Sequence, residues 1–401
     1  MGDLISVDEL DLSGKRVLIR VDYNVPLDEK GNVTDDTRIR RTLPTLECVI
    51  NKGAKVILCS HLGRPKGAPE PRFSLRPCAQ RLRELLGKEV VMAPDCVGPH
   101  VKALIERMKP GDIIMLENLR FHRGEAENDP SFARSLASLA DVYVNDGFAV
   151  AHRSNASVDA ITRYVAVCAA GLLMKAELEA FSKALRQPQR PLVGILGGGK
   201  VSDKVAAVSR MVSIADKVII GGAISFTFLK AMGISAGDSP VEEELLPKAR
   251  GIMQKARRRG VSFYLPVDFV IAQKASADAS TQIKPAQEIP QGWAGLDVGD
   301  ASIMLFREVI SDAGTIVWNG PMGVYELEPF RKGTWEMLKA VAQSEAFSVL
   351  GGGDLDAAVH MANVQNDISY LSTGGGAFLE LLEGRTLPGI KALERCARKR
   401  G

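Results

Sequence analysis

The chain has 401 residues, 46% of them hydrophobic and 25% charged, an ordinary globular composition with length for two or three domains and no run near the roughly 20 apolar residues of a membrane span. A net charge of +3 is too small to argue for nucleic acid or an anionic membrane, so any affinity for anions must come from local clusters of Arg and Lys. The N-terminal stretch "MGDLISVDELDLSGK" is acidic, lacks the apolar core of a signal peptide, and matches an N-acylation pattern through Gly2 and Ser6 with no basic cluster behind it.

Short β-branched runs then recur, each followed by a helical pattern: "RVLIRVD", "KVILCS", "DIIMLE" and "DVYVND" in the first half. "PLVGILG", "KVIIGG", "VSFYLPVD", "TIVWNG", "FSVLGGG" and "ISYLSTGGG" follow in the second. Near-continuous apolar strands separated by helices predict an α/β fold with parallel sheets covered on both faces. Between the halves, "GLLMKAELEAFSKALRQPQRP" reads as a helix closed by Pro188 and Pro191, joining two domains. The expected division is a first domain over 1–170, an interdomain helix over 171–188 and a second domain over 189–385. The terminal helix, about 386–401, is expected to pack back on the first domain. Six scattered cysteines with no C-x-x-C pair predict reduced thiols in a cytoplasmic protein.

What ends each run carries the chemistry, because open parallel sheets bind ligands outside the carboxyl ends of their strands. In the first half those ends present Asp22 and Asn24 of "RVDYNVPLD", His61 and Arg64 of "SHLGRP", Arg120 of "ENLRFH" and Arg153 of "AHRSNAS", with Arg38 in "TDDTRIRR". One arginine is ordinarily a surface ion pair of little worth. Several beside a histidine predict a small polyanion, since guanidinium grips phosphate and carboxylate bidentately.

The second half ends its strands in glycine instead: "GGGK" (197–200), "GGAI" (221–224), "GGGD" (351–354) and "STGGG" (372–376). Glycine lets backbone N–H groups approach a ligand, and a helix starting there favours an anion. The stretch "GILGGGKVSD" places Gly194, Gly199 and Lys200 in the register of a P-loop, but Val201 stands where a hydroxyl should hold Mg²⁺. None of the glycine runs fits G-x-G-x-x-G, which removes a dinucleotide oxidoreductase. A nucleotide or polyphosphate site is the reading that remains. Asp354, directly after glycine, suits a hydrated Mg²⁺ or a helix N-cap, and Glu326 beyond "NGPMG" suits ribose hydroxyls or solvent.

In order along nearly the whole chain, "RVDYNVPLD", "TDDTRIR", "SHLGRP", "LENLRFH", "VNDGFAVAHR", "LGGGKVSDK", "VWNGPMGVYE", "GGGD" and "STGGGA" resemble the phosphoglycerate kinase family. The resemblance implies two Rossmann-like domains with a hinge, and reversible phosphoryl transfer between 1,3-bisphosphoglycerate and ADP. It puts Asp22 and Asn24 on the glycerate hydroxyl, His61, Arg64, Arg120 and Arg153 on the far phosphate, and Arg38 at the reacting carboxyl end. It puts Lys200 and Lys204 on the phosphates, Lys204 on the transferring group, and the amides of Gly374, Gly375 and Gly376 against the moving phosphoryl. Gly198, Gly199, Gly221, Gly222, Gly295 and Leu296 border adenine in this reading, and Glu326 takes ribose. Asn319, Pro321, Gly352, Gly353 and Leu355 complete the nucleotide site, and Asp354 holds Mg²⁺, which frees Val201 to be apolar. The chain departs from the pattern at Leu355, where Ser or Thr is usual, so a hydroxyl near the phosphates is missing; "DVGDAS" (297–302), Gly147, Ala149 and "GGAISFTFL" also differ. The reading expects a cytoplasmic monomer with no nucleic-acid or membrane partner. Another acyl-phosphate kinase and a non-catalytic nucleotide-binding homologue are the alternatives. The intact cationic set argues against the first, and Lys204 with Asp354 against the second.

Overall fold

The computed structural model of the chain describes residues 4–398, so Gly2 and the last three residues of the expected terminal helix lie outside the described residues. Its strands, in chain order, are β1 (Arg16–Arg20), β2 (Lys55–Cys59), β3 (Val91–Met92), β4 (Ile113–Met115), β5 (Val142–Asn145) and β6 (Val167–Ala170). There follow β7 (Leu192–Leu196), β8 (Lys217–Ile220), β9 (Ser262–Tyr264), β10 (Asp268–Ala272), β11 (Gln282–Pro285), β12 (Ala294–Val298), β13 (Thr315–Asn319), β14 (Phe347–Gly351) and β15 (Tyr370–Ser372). The chain splits into two compact units, one of residues 1–178 with 386–401, the other of residues 179–385. The division falls inside the helix Leu172–Leu185.

The first unit holds a six-stranded sheet in the order β3-β4-β2-β1-β5-β6, every pair parallel. Its central strands are buried at nearly every position, so both faces are covered, as their continuous apolar runs demand. The terminal helix Pro388–Ala397 packs in this unit, and a disulfide joins its Cys396 to Cys168 of β6, with 6.0 Å between the Cα atoms. This corrects the expectation of six reduced thiols. Cysteines 228 positions apart become neighbours because the last helix returns to the edge strand, which spacing along the chain does not reveal. Cys48, Cys59, Cys78 and Cys96 are free.

The second unit holds a parallel six-stranded sheet ordered β9-β8-β7-β13-β14-β15, the 3-2-1-4-5-6 arrangement of a dinucleotide-binding fold. A three-stranded antiparallel sheet, β11-β10-β12, is set beside it in the chain and was not expected. "VSFYLPVD" reads as one strand, but Pro266 ends β9, and β10 begins in the other sheet. β11 is exposed at three of its four positions and so carries no apolar signal. Among the described residues, no helix is long and apolar enough to cross a membrane.

Candidate active site

In each large sheet the chain runs outward from its first strand in both directions, leaving a crevice at the carboxyl ends where the order reverses. In the first unit that point lies between β1 and β5. β1 continues into Asp22 and Asn24, β2 into His61 and Arg64, β4 into Arg120, and β5 into Arg153.

Asp22 is the hub. Its carboxylate accepts from Arg38 Nη1 on one oxygen, while the other lies 3.6 Å from His61 Nδ1. Burial raises the Asp22 carboxyl, but the Arg38 and Arg20 guanidiniums around it outweigh that and hold it below the usual carboxylate range. His61, only 2% exposed, is kept well below its ordinary value, by burial first and then by the field of Arg20, Arg120 and Arg153. It therefore stands neutral, and the positive charge facing Asp22 comes from the arginines. Arg20 Nη2 approaches His61 Nδ1 at 3.2 Å; a guanidinium can only donate, so the ring proton sits on Nε2.

Asn24 Oδ1 accepts from Gly63 N at 2.8 Å, and Gly63 O accepts from Arg120 Nη1 at 2.6 Å, so the β2 loop is clamped between two site residues. Gly63 has φ +61°, and a Cβ there would meet the Phe73 ring at 2.3 Å. Burial and the neighbouring Arg153 and Arg20 push the Arg120 guanidinium down to about 10. Arg153 is lowered likewise, by burial and then by Arg20, Arg64 and Arg38, with Asp22 opposing. Cations crowded until they repel one another are poised for a multivalent anion. Arg64, Arg120 and Arg153 also line one pocket of about 440 Å³. A larger groove of about 1100 Å³ in the same unit mixes acids and bases around Asp36, Arg76 and Glu117 and holds none of the expected ligands. Charge, not size, singles out the smaller pocket.

Arg20 was missed from the sequence. It is 1% exposed, and its Nε donates to Ser157 Oγ at 2.9 Å; Ser157 Oγ in turn donates to buried Glu125 at 2.6 Å. The signal was there: an arginine inside the apolar run "RVLIRVD" must find acceptors when the strand is buried.

In the second unit the crevice falls between β7 and β13, and the glycine loops knit together there by backbone alone. Gly197 N donates to Asn319 O at 2.9 Å, Gly198 N to Pro321 O at 3.0 Å, and Gly222 N to Met322 O at 3.0 Å. No side chain fits: a Cβ on Gly197 would meet Pro321 O at 2.1 Å, and on Gly222 would meet Gly198 N at 2.6 Å. Gly199, Gly353 and Gly375 instead face open space. Gly352 and Gly375 precede the helices Gly353–Met361 and Gly376–Leu382, so bare N–H groups point outward at their first turns.

Lys204 caps the helix Val205–Ile214 and donates to Asn319 Oδ1 and, at 3.3 Å, to Asn319 O. Asn319 Nδ2 donates to Gly351 O at 2.6 Å, which ties the β7, β13 and β14 loops through one amide. Burial pushes the Lys204 ammonium down to about 8, against Asp354 and Asp203, which favour its charge. Tyr325 is raised to about 12 by burial and by Glu326 and Asp354, so those two carboxylates share its neighbourhood. Val324 N donates to Leu296 O at 2.8 Å, bringing Gly295 and Leu296 beneath the Glu326 loop. Lys200 is exposed, and Glu242, unnoticed in the sequence, holds its loop by accepting from the amides of Val201 and Ser202.

Asp354 is exposed in the first turn of its helix, beside two glycines and within the field of Lys204. A single accessible carboxylate next to bare amides fits Mg²⁺, which keeps waters and phosphate oxygens as its other ligands. Leu355 does not fit its expected place. Its side chain is fully buried in a cluster with Val359, Ile368 and Leu371, because the helix turns that position inward. The hydroxyl expected there would enter the core.

A family model described as phosphoglycerate kinase matches residues 7–385. The chain belongs to the phosphoglycerate kinase family. It is 55% identical over 389 residues to the phosphoglycerate kinase of Geobacter metallireducens, covering 97% of this chain and 98% of that one. Identity to the Aquifex aeolicus phosphoglycerate kinase is 53% over 386 residues, covering 96% and 97%. The solved structure of the Coxiella burnetii phosphoglycerate kinase superposes with a TM-score of 0.89 at 42% identity, covering 99% of this chain and all of that one. That of the Pyrococcus horikoshii phosphoglycerate kinase gives 0.82 at 31% identity with the same coverage. Family and fold thus agree with an enzyme that moves a phosphoryl group.

Proposed function

We propose that the protein catalyses reversible Mg²⁺-dependent phosphoryl transfer between 1,3-bisphosphoglycerate and ADP, giving 3-phosphoglycerate and ATP. The observation that carries it is the contrast between two crevices at matching points of two sheets. One is lined with mutually repelling guanidinium groups; the other is lined with main chain and one partly buried lysine.

In this reading Arg64, Arg120, Arg153 and the Nε2–H of neutral His61 hold the far phosphate, while Asp22 and Asn24 take the glycerate hydroxyl. Arg38, paired to Asp22 here, turns its remaining donors to the reacting carboxyl end. The Gly352–Gly353 and Gly374–Gly376 amides and Lys200 cradle the nucleotide phosphates, Glu326 takes ribose, and the Gly198–Gly199, Gly221–Gly222 and Gly295–Leu296 backbone, with Asn319 and Pro321 behind it, walls the base. Asp354 would hold Mg²⁺, which when bound neutralises charge on the phosphate oxygens.

The attacking group is a phosphate oxygen and the leaving group a carboxylate, both weak bases, so no general base is needed. Catalysis rests on alignment and on charge at the transferring oxygens, supplied by Arg38, Lys204 and the Gly374–Gly376 amides. The two ligands must be brought into line, and the hinge expected from the sequence is part of the proposal. Because each ligand set comes from a single chain, a cytoplasmic monomer suffices.

The test is ADP formation from MgATP. Turnover that requires 3-phosphoglycerate supports the proposal. MgADP binding without such turnover would return the protein to a non-catalytic homologue, which Lys204 and Asp354 argue against.

A further inference from the structure

The first unit carries a second constellation that phosphoryl transfer does not use. Asp95 and Cys96 lie on the loop leaving β3, and His122 on the turn leaving β4. β3 and β4 pair in parallel, Val91 with Ile114 and Met92 with Met115, so both loops emerge at the same sheet edge. A carboxylate oxygen of Asp95, Sγ of Cys96 and a ring nitrogen of His122 all lie within 4.8 Å of one another. We propose that these three residues form a binding site for a thiophilic divalent cation of the zinc class.

The donor set selects the metal. A hard ion such as Mg²⁺ takes oxygen ligands and gains nothing from sulfur. Thiolate, imidazole and carboxylate together are the ligands of Zn²⁺ and its d-block neighbours, and three protein ligands leave a fourth position for water. The ligands are also held in place. The His122 ring stacks on Phe132, centroids 5.2 Å apart at 24°, and its Nε2 lies 2.7 Å from Asp95 Oδ1. Cys96 N donates to the same oxygen at 2.6 Å. Bonds of about 2.0 Å to nitrogen and oxygen and about 2.3 Å to sulfur put tetrahedral ligand atoms roughly 3.3–3.5 Å apart, so atoms up to 4.8 Å apart must close by about 1.3 Å and the His122–Asp95 pair at 2.7 Å must open by about 0.6 Å. When the metal binds through Nε2, the Cys96 thiol gives its proton to solvent, and the proton that His122 Nε2 donates to Asp95 leaves that nitrogen, with Nδ1 carrying the ring's remaining proton, so that Nε2 and the freed carboxylate can both take the metal.

An entry path exists from two sides. Asp95 borders the groove of about 1100 Å³, and His122 borders the separate pocket of about 440 Å³. Their side chains are 46% and 33% exposed, while Cys96 is fully buried behind them. That pattern gives solvent access through the hard ligands and protects the soft one from oxidation.

The experiment is titration of the untagged, chelator-treated full chain with Co²⁺, followed in the ultraviolet and visible. Saturation at one ion per chain is expected, with tetrahedral visible bands and a thiolate-to-cobalt charge-transfer band, both displaced by Zn²⁺. Cys96→Ser should abolish the charge-transfer band, and Asp95→Asn, at an accessible position, should weaken binding by about tenfold or more. Cys48→Ser, the control at the partly exposed thiol, should change nothing. X-ray absorption of the zinc-loaded parent chain should count one sulfur per ion, a readout that survives if Cys96→Ser fails to fold. An unchanged charge-transfer band in Cys96→Ser, no saturation at one ion per chain, or a sulfur-free zinc shell would overturn the site.

Discussion

Replacing Lys204 by Met should stabilise the second unit while destroying catalysis. The ammonium is pushed from its ordinary 10.5 to about 8 by burial. At about 1.4 kcal/mol per pKa unit this amounts to roughly 3 kcal/mol of cost, trimmed to about 2–3 kcal/mol because the side chain keeps some exposure. Met removes that cost but leaves Asn319 Oδ1 without its donor, which returns about 1 kcal/mol. The net gain should be about 1–2 kcal/mol near neutral pH. Its pH dependence is the sharper check. Below about pH 8 folded and unfolded chains both carry the proton, so the parent bears the full cost. Between about 8 and 10.5 only the unfolded chain binds it, so the parent gains stability as pH rises and the variant's advantage fades. All three tryptophans, Trp293, Trp318 and Trp335, lie in the second unit, so their fluorescence during urea unfolding follows this unit. Turnover should fall by about two to three orders of magnitude, as for loss of a preorganised charge at the transferring group. A variant less stable than the parent at neutral pH, or a stability gap that is the same at about pH 7 and about pH 9.5, would refute the reasoning.

Arg38→Ala should lower kcat at least about a hundredfold, roughly 3 kcal/mol, with little change in nucleotide affinity measured by calorimetry; near-normal turnover removes Arg38 from the transition state. Leu355→Thr should cost about 1–3 kcal/mol in urea unfolding, because it replaces a fully buried apolar side chain, and should leave MgADP affinity unimproved. Tighter MgADP binding in that variant would mean the position faces the ligand after all. Cys396→Ser should lower the stability of the first unit by about 2–5 kcal/mol under oxidising conditions and by nothing in reductant, since it opens a loop of 228 residues. Equal loss in both conditions would assign the effect to packing of the thiol.

The second large sheet and four strands of the first were legible because buried parallel strands write their own signature, an unbroken apolar run ending in polar or glycine residues; β3, two residues long, and β6 were not read as strands. Most of the candidate ligand residues were picked out for the same reason, because they follow those strands; Arg38 instead lies on the short helix Thr37–Arg40. What escaped depends on facts the linear pattern does not carry. β11 is exposed, so its alternation had nothing to report. Glu125 and Arg20 meet through Ser157, well over a hundred positions from Arg20, and only the packed fold makes that network. Leu355 was assigned by its place beside Asp354, yet one step along a helix is a turn of about 100°, enough to swing a side chain from solvent into the core.

Because the helix Pro388–Ala397 belongs with residues from the start of the chain, the first unit is sewn shut by its last stitch. On the ribosome, residues 179–385 emerge as an uninterrupted block while the earlier sheet still waits for its edge partner. Synthesis therefore offers the second unit all of its own residues first, and nascent chains arrested near residue 385 should hold the first unit open to proteases.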